Sequence, residues 1–134
     1  MGLVLMAIAA ATASHSVQIE HRGAPMEAIY SARTDIRTRT IGAHTPNRAD
    51  TRRCRWIATV VVERRLAHSP ALARTLPGEH HLSGNLPGEC APNAVERAVA
   101  RHADSVQEHV VAMAGRDRAP LLAELDSIKN LASR

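Results

Sequence analysis

The sequence predicts an α+β domain, with a three-stranded antiparallel meander followed by a C-terminal helical hairpin packed on one sheet face. In the first half of the chain, apolar residues alternate with polar ones, as in strands that bury one face. In the second half, apolar residues recur every three or four positions, as along an amphipathic helix. A length of 134 residues suits a single domain with one core. With Tyr30 and Trp56 as the only aromatic residues, that core must be largely aliphatic.

Three segments carry the strand pattern. Residues 16–22 place Val17, Ile19 and His21 on one side, and a Gly-Pro turn follows. Residues 27–41 and 53–64 alternate for longer, and a polar loop separates them. Sequential strands with short connections usually pair with each other, so a meander is expected.

The helical hairpin is predicted from residue 93 onward. Asn93 and Glu96 have the spacing of a capping box, which places the first helix start at Asn93. Gly115 is expected to end or kink this helix. A second helix is expected from Asp117, with Pro120 tolerated in its first turn.

Residues 75–90 contain the tetrapeptide Leu-Pro-Gly-Glu twice. Pro-Gly after Leu favours a type II turn, because Pro fixes φ at the first central position and Gly supplies a positive φ at the second. We therefore expect a loop of two chain reversals between the sheet and the helices, anchored on the core by Leu76, Leu82 and Leu86.

The N-terminus has the pattern of a signal peptide over residues 1–13. An apolar run from residue 3 to 11 precedes Ala11-Thr12-Ala13, which has the small-x-small form of a signal-peptidase site. The run is too short to span a bilayer as a helix. The expected product is a periplasmic or secreted domain of residues 14–134 without a membrane span, and the alternative is a buried N-terminal helix or strand.

In an oxidising compartment Cys54 and Cys90, the only two cysteines, are expected to form one disulfide. Closing the loop between them would stabilise the fold by roughly 4 kcal/mol on the chain-entropy model. Their spacing matches neither a zinc pattern nor a Cys-x-x-Cys redox motif. Free buried thiols are the alternative.

Positive charge is concentrated in residues 20–65, where ten arginines stand against five acids. Such a surface suits an anionic partner such as lipopolysaccharide, an acidic protein or polyphosphate, because the guanidinium group binds phosphate and carboxylate in a bidentate manner. The alternative is a solvated face that keeps strand edges from aggregating. Nucleic acid is not expected, since no aromatic residues are interleaved for base stacking. The candidate binding residues are Arg33, Arg37, Arg39, Arg52, Arg53 and Arg55.

Glu79, His80 and His81 are weak candidates for a metal site, because imidazole and carboxylate suit zinc, copper or nickel. Adjacent histidines point to opposite sides of an extended chain, so at most one would join Glu79 at an ion. Solvated histidines are the alternative, and no metal or cofactor is assigned.

Nucleophile elbows, HExxH, P-loops and Gly-rich dinucleotide turns are absent from the sequence, so no catalytic residues are assigned. Three segments carry a resemblance: CRWIATVVVER (residues 54–64), RTRTIG (residues 37–42) and the LPGE turns. They resemble segments of small exported proteins of GC-rich proteobacteria, which have no assigned function. With Lys129 the single lysine, the strong preference for Arg agrees with a GC-rich bacterial source.

These observations favour a non-enzymatic binding or envelope-interaction module that uses an Arg-rich sheet face or an open strand edge. A histidine-based metal-binding protein and a structural homodimer through an exposed helix face are the alternatives.

Overall fold

A computed structural model of the chain describes residues 5–6, 13–67 and 69–132, and within them it confirms the α+β class. An antiparallel sheet is covered on one face by C-terminal helices. The elements are β1 (Leu5–Met6), β2 (Ser14–His21), β3 (Ala24–Ile41), β4 (Arg53–Leu66), β5 (Ser69–Thr75), β6 (His80–Pro87), α1 (Pro92–Ala100) and α2 (Ala103–Ala132).

The predicted signal peptide, residues 1–13, lies mostly outside the described residues, and both it and the domain boundary after it stay predictions. Within it, Leu5–Met6 forms the short strand β1, which pairs with Ile36 and Arg37 of β3. In the described part of the chain, no helix is long and apolar enough to cross a membrane.

The meander is confirmed, with β2 pairing along the first half of β3 and β3 pairing with β4 over almost their whole lengths. Alternation places Tyr30 and Ile36 of β3, and Trp56 of β4, on the face that the helices cover, each almost fully buried. On its other side β4 pairs with β6 along its first half and with β5 near its end. The sheet is therefore wider than the three strands expected from sequence.

The prediction of a loop over residues 75–90 was wrong, because β6 occupies the space between its two Pro-Gly turns. Gly78 and Gly88 have positive φ values of 104° and 81°, as the turn prediction required. Between them, Leu82, Gly84 and Leu86 alternate toward the core face, which is a strand pattern hidden among polar residues. Gly84 lies opposite Trp56, and a Cβ there would come within 2.6 Å of the indole ring.

The predicted helix boundaries were also wrong. α1 begins at Pro92 with Ala91 in the N-cap position, and no side chain caps it, so Asn93 is not the cap. The helices are separated at residues 101–102, and α2 continues through Gly115 and Pro120.

The continuity of α2 follows from a buried stripe that repeats at intervals of three and four residues across the expected break. Gly115 and Pro120 lie on the exposed side of the helix, where the carbonyl left without a partner by proline can face water. Packing on the sheet therefore outweighs the helix-breaking tendency of these two residues. The buried stripe is Val106, Val110, Met113, Asp117, Leu121 and Leu125.

The predicted disulfide is confirmed, with Cys54 and Cys90 bonded and their Cα atoms 4.8 Å apart. Cys54 is fully buried at the start of β4, and Cys90 lies two residues before α1 begins. The bond thus fixes the N-terminal end of the helical layer to the centre of the sheet.

Candidate anion-binding face

The sheet face opposite the helices, here called the open face, carries the basic cluster. Antiparallel register aligns three strands there in three rows, which we call the arginine grid. Cross-strand neighbours in such rows have Cβ atoms about 4.5–5.5 Å apart, so the nine side chains form one continuous surface. The rows are Arg37, Ile57 and Ser83; Arg39, Arg55 and Asn85; and Ile41, Arg53 and Pro87.

The four arginines of the grid are exposed and make no ion pair or side-chain hydrogen bond within the described part of the chain. None of the nine grid residues is acidic. Arg39 and Arg55 stand directly opposite each other, an arrangement that destabilises a sheet because like charges face across the strands. The cluster therefore carries positive charge that fold stability does not require.

Two isoleucines lie in the two outer rows of the same grid, Ile57 on the middle strand β4 and Ile41 at the end of β3. Ile41 and Ile57 are each 42% exposed, and both lie on the same face as the four arginines. A depression of about 380 Å³ lies beside Ile41, lined also by Arg53, Arg55, Ser83, Gly84 and Asn85. The face thus offers cationic groups and apolar groups side by side.

Arg33, predicted with this cluster, lies on the same face but has acidic neighbours. It donates a hydrogen bond to Glu63 at 2.9 Å and lies 3.7 Å from Asp35. Its charge is locally compensated, so it does not extend the free positive surface of the grid.

Arg52, also predicted with the cluster, is turned toward the loop that precedes β4. Its guanidinium donates to both carboxylate oxygens of Asp50 and lies 3.7 Å from Glu89. The backbone N–H of Arg52 also donates to Asp50. The side-chain hydrogen bonds have the larger effect and the backbone bond the smaller, and together they lower the pKa of Asp50 to about 2. The structure therefore brings together four of the six predicted arginines and assigns the other two to local ion pairs.

The candidate metal ligands are divided between the two faces of the sheet, as adjacent positions in a strand require. His81 lies on the open face, 3.5 Å from Glu79. His80 lies on the helix side, where its ring stacks on that of His109 with centroids 4.9 Å apart and its Nε2 is 3.3 Å from the hydroxyl of Ser105. Among the described residues, no three His, Cys, Asp or Glu side chains are arranged to hold a metal ion.

His109 is the member of this histidine stack that α2 contributes. Its Nε2 is buried and has no hydrogen-bond partner in the described part of the chain. Burial, followed by the neighbouring charges of His80 and Arg116, lowers the pKa of His109 below its usual value. The contact between β6 and α2 therefore favours the neutral form of His109.

The helix-covered face contains a buried ionic cluster that sequence reasoning missed. Arg64, only 1% exposed, donates to both oxygens of Asp117 at 2.9 and 2.8 Å and to Glu124 at 2.6 Å. Tyr30 donates to Asp117 at 2.8 Å, and its pKa is strongly raised by burial and by that carboxylate. Burial alone would lower the pKa of Arg64, but its bonds to the two carboxylates raise it. This cluster holds α2 on the sheet.

The other predicted binding surfaces have less to distinguish them. β2 and β6 border the sheet, and neither has a second strand neighbour within the described residues. Val111 and Ile128 of α2 are exposed, but they are separated by 17 positions, or about 25 Å along a helix. Nothing at these places concentrates charge or apolar area as the grid does.

No protein family, curated protein or solved structure matches this chain in comparisons with known proteins. The candidate site therefore rests on the geometry of its own residues. Sequence reasoning missed Ile57 as a site residue although the alternation placed it beside Arg55, and it missed Ser83 and Asn85 because β6 was not recognised as a strand.

Proposed function

We propose that the protein is a non-enzymatic binding module of the bacterial envelope that holds an anionic partner on the arginine grid. The observation that carries the proposal is the juxtaposition of Arg37, Arg39, Arg53 and Arg55, exposed and unpaired, on two adjacent strands. Export to the periplasm or beyond, which the N-terminal pattern and the disulfide favour, would bring this face to acidic envelope components.

The chemistry of the grid suits phosphate groups or clustered carboxylates. A guanidinium offers planar, bidentate hydrogen bonding to either group and stays charged at every physiological pH. Arg39 and Arg55 repel each other in the free protein, and a bound anion between them would relieve that repulsion. Ligand binding and sheet stability are therefore expected to be coupled.

Inorganic polyphosphate is a suitable first probe, because it carries phosphate charge without bases, sugars or acyl chains. We expect the wild-type chain to bind it at low salt. If the four arginines each neutralise one phosphate, affinity should fall on the order of fiftyfold between about 50 and about 200 mM salt. Isothermal titration at several salt concentrations measures this dependence.

The test variant is Arg37→Gln/Arg39→Gln/Arg53→Gln/Arg55→Gln, and we expect it to lose at least about tenfold in polyphosphate affinity. The matched control changes four exposed arginines of the helical layer and removes the same net charge. Equal losses in both variants, or affinity that does not respond to salt, would overturn the proposal. The control variant is Arg97→Gln/Arg101→Gln/Arg116→Gln/Arg118→Gln.

A further inference from the structure

Ile41 and Ile57 are not explained by anion binding alone. They are two of the four large hydrophobic side chains that are exposed in the described part of the chain, and both belong to the nine-position grid. The other two, Val111 and Ile128, stand singly on α2. Single exposed aliphatic residues are ordinary, whereas two flanking a cationic cluster indicate a ligand with both charge and apolar surface.

We propose that the arginine grid docks on the surface of a bilayer containing anionic phospholipids. Ile41 and Ile57 would enter the boundary between headgroups and acyl chains, while the four arginines contact lipid phosphates. The inference rests on the proposed function, since it names the anionic partner of the same face.

The side chains of the grid have the lengths that such docking requires. Arginine carries an apolar stem and a charged end, so it can lie along apolar surface while its guanidinium reaches a phosphate. Isoleucine in the two outer rows adds apolar area that is removed from water on contact. Ser83 and Asn85 of β6 complete the face with uncharged polar groups, which match the headgroup region.

The distribution of charge fixes the orientation of the protein on the membrane. Residues 20–65, which include β3 and β4, carry ten arginines against five acids, whereas residues 66–134 carry seven basic and eight acidic residues. The part of the chain that contains β3 and β4 is therefore attracted to an anionic surface, and the part that contains β5, β6 and the two helices is not. With the grid against the lipid, α1 and α2 face away from the membrane.

Co-sedimentation with large unilamellar vesicles tests the inference with the full chain. Vesicles of phosphatidylcholine alone are compared with vesicles in which part of the lipid is phosphatidylglycerol. We expect partitioning only to the anionic vesicles. The quadruple grid variant used with polyphosphate should partition about six hundredfold less, at roughly fivefold for each of the four arginines removed.

The apolar contribution is isolated by Ile41→Ser/Ile57→Ser, which leaves every charge in place. We expect this variant to lose on the order of tenfold in vesicle partitioning, while its polyphosphate affinity stays within about twofold of wild type. Val111→Ser/Ile128→Ser is the matched control and should partition like wild type.

The outcomes separate this inference from the proposed function. Binding of polyphosphate without preference for anionic vesicles would overturn membrane docking and leave the anion-binding module standing. Vesicle binding that is unchanged by Ile41→Ser/Ile57→Ser, or equally reduced by the helix control, would also overturn it. Failure to bind either polyphosphate or anionic vesicles would overturn both.

Discussion

The two faces of β4 carry arginine in opposite circumstances. Arg64 points under α2, is almost fully buried and makes three hydrogen bonds to the carboxylates of Asp117 and Glu124. Arg55 points to the open face, is exposed and faces Arg39 across the strands. One strand thus presents a compensated charge to the core and an uncompensated one to the outside.

The difference shows how burial changes what a charge contributes. A buried guanidinium loses several kcal/mol of hydration, so it persists in the fold only with well-placed carboxylate partners. An exposed guanidinium keeps its hydration, and pairing it would add about 0–1 kcal/mol. Loss of one partner from the cluster around Arg64 is therefore expected to destabilise the fold, whereas the grid arginines are available for a ligand.

Among the predicted changes in the free energy of unfolding, substitutions in the buried cluster around Arg64 should give the largest. Asp117→Asn would remove the buried carboxylate that accepts two of the three hydrogen bonds of Arg64 and would leave only the partly exposed Glu124 to balance its charge, so we expect a loss of about 3–5 kcal/mol in the free energy of unfolding. Urea denaturation measures it. A variant within about 1 kcal/mol of wild type would contradict the role assigned to the cluster.

Arg64→Met/Asp117→Leu sharpens the same comparison. Replacing both charges with apolar groups removes the need for compensation, so most of the stability lost in Asp117→Asn should return. Glu124, which is 21% exposed, pairs with Arg64 at the edge of the cluster, and Glu124→Gln should cost less than Asp117→Asn.

The disulfide is the next largest contribution. Cys54→Ala/Cys90→Ala opens a loop with a sequence separation of 36, and we expect a loss of about 2–4 kcal/mol. Differential denaturation with and without reductant should show the same loss for wild type and no change for the variant. Equal stability of oxidised and reduced wild-type protein would show that the disulfide does not contribute to the stability of the fold.

The burial of His109 in the histidine stack predicts that the free energy of unfolding depends on pH. The pKa of His109 is lowered in the fold, so between its ordinary value of about 6.5 and that lower value the unfolded chain binds the proton and the folded chain does not. Stability should therefore fall as pH decreases below about 6.5, by at most about 1.4 kcal/mol per pH unit from this group.

Denaturation midpoints at about pH 7.5 and about pH 5.5 measure that loss. His109→Gln should reduce the dependence, because no group then titrates beside His80 and Arg116 in the same environment. His81→Gln, at an exposed histidine on the open face, is the control and should follow wild type. Asp126 also has a lowered pKa, but a depressed carboxyl affects stability only at more acidic pH. If the free energy of unfolding changes equally with pH in His109→Gln and His81→Gln, the assignment of the pH dependence to His109 is refuted.

The sequence was most informative where one periodicity acted over a long segment. Alternation along β3 and β4 correctly predicted which residues face the core, and therefore that Arg37, Arg39, Arg53 and Arg55 share the other face. It could not supply the register, so the direct opposition of Arg39 and Arg55 came only from the structure.

Where local signals competed with packing, packing decided the structure. Gly115 and Pro120 favour a helix end, yet the stripe through Asp117 keeps α2 continuous. Asp117 itself broke the apolar pattern, and its meaning depended on Arg64, which is 53 positions earlier and on another element. The spacing of residues along the chain gives no information about a partner that far away in sequence, so the buried cluster could not be predicted.

The smallest expected change in stability comes from a single substitution in the grid. It tests the difference between the helix-covered face and the open face most directly, because the free energy of unfolding and the affinity for polyphosphate should change in opposite directions. Arg39→Gln removes one of two like charges that face each other, so we expect the free energy of unfolding to rise by about 0.2–1 kcal/mol while polyphosphate affinity falls. Arg33→Gln removes an arginine of the same face that is paired with Glu63, so it should lower stability by a similar amount and change affinity less. Urea denaturation and titration of both variants under identical salt separate the two expectations. If Arg39→Gln instead destabilises the sheet, the grid arginines contribute to the fold as Arg64 does, and the distinction between a structural and a ligand-binding face is lost.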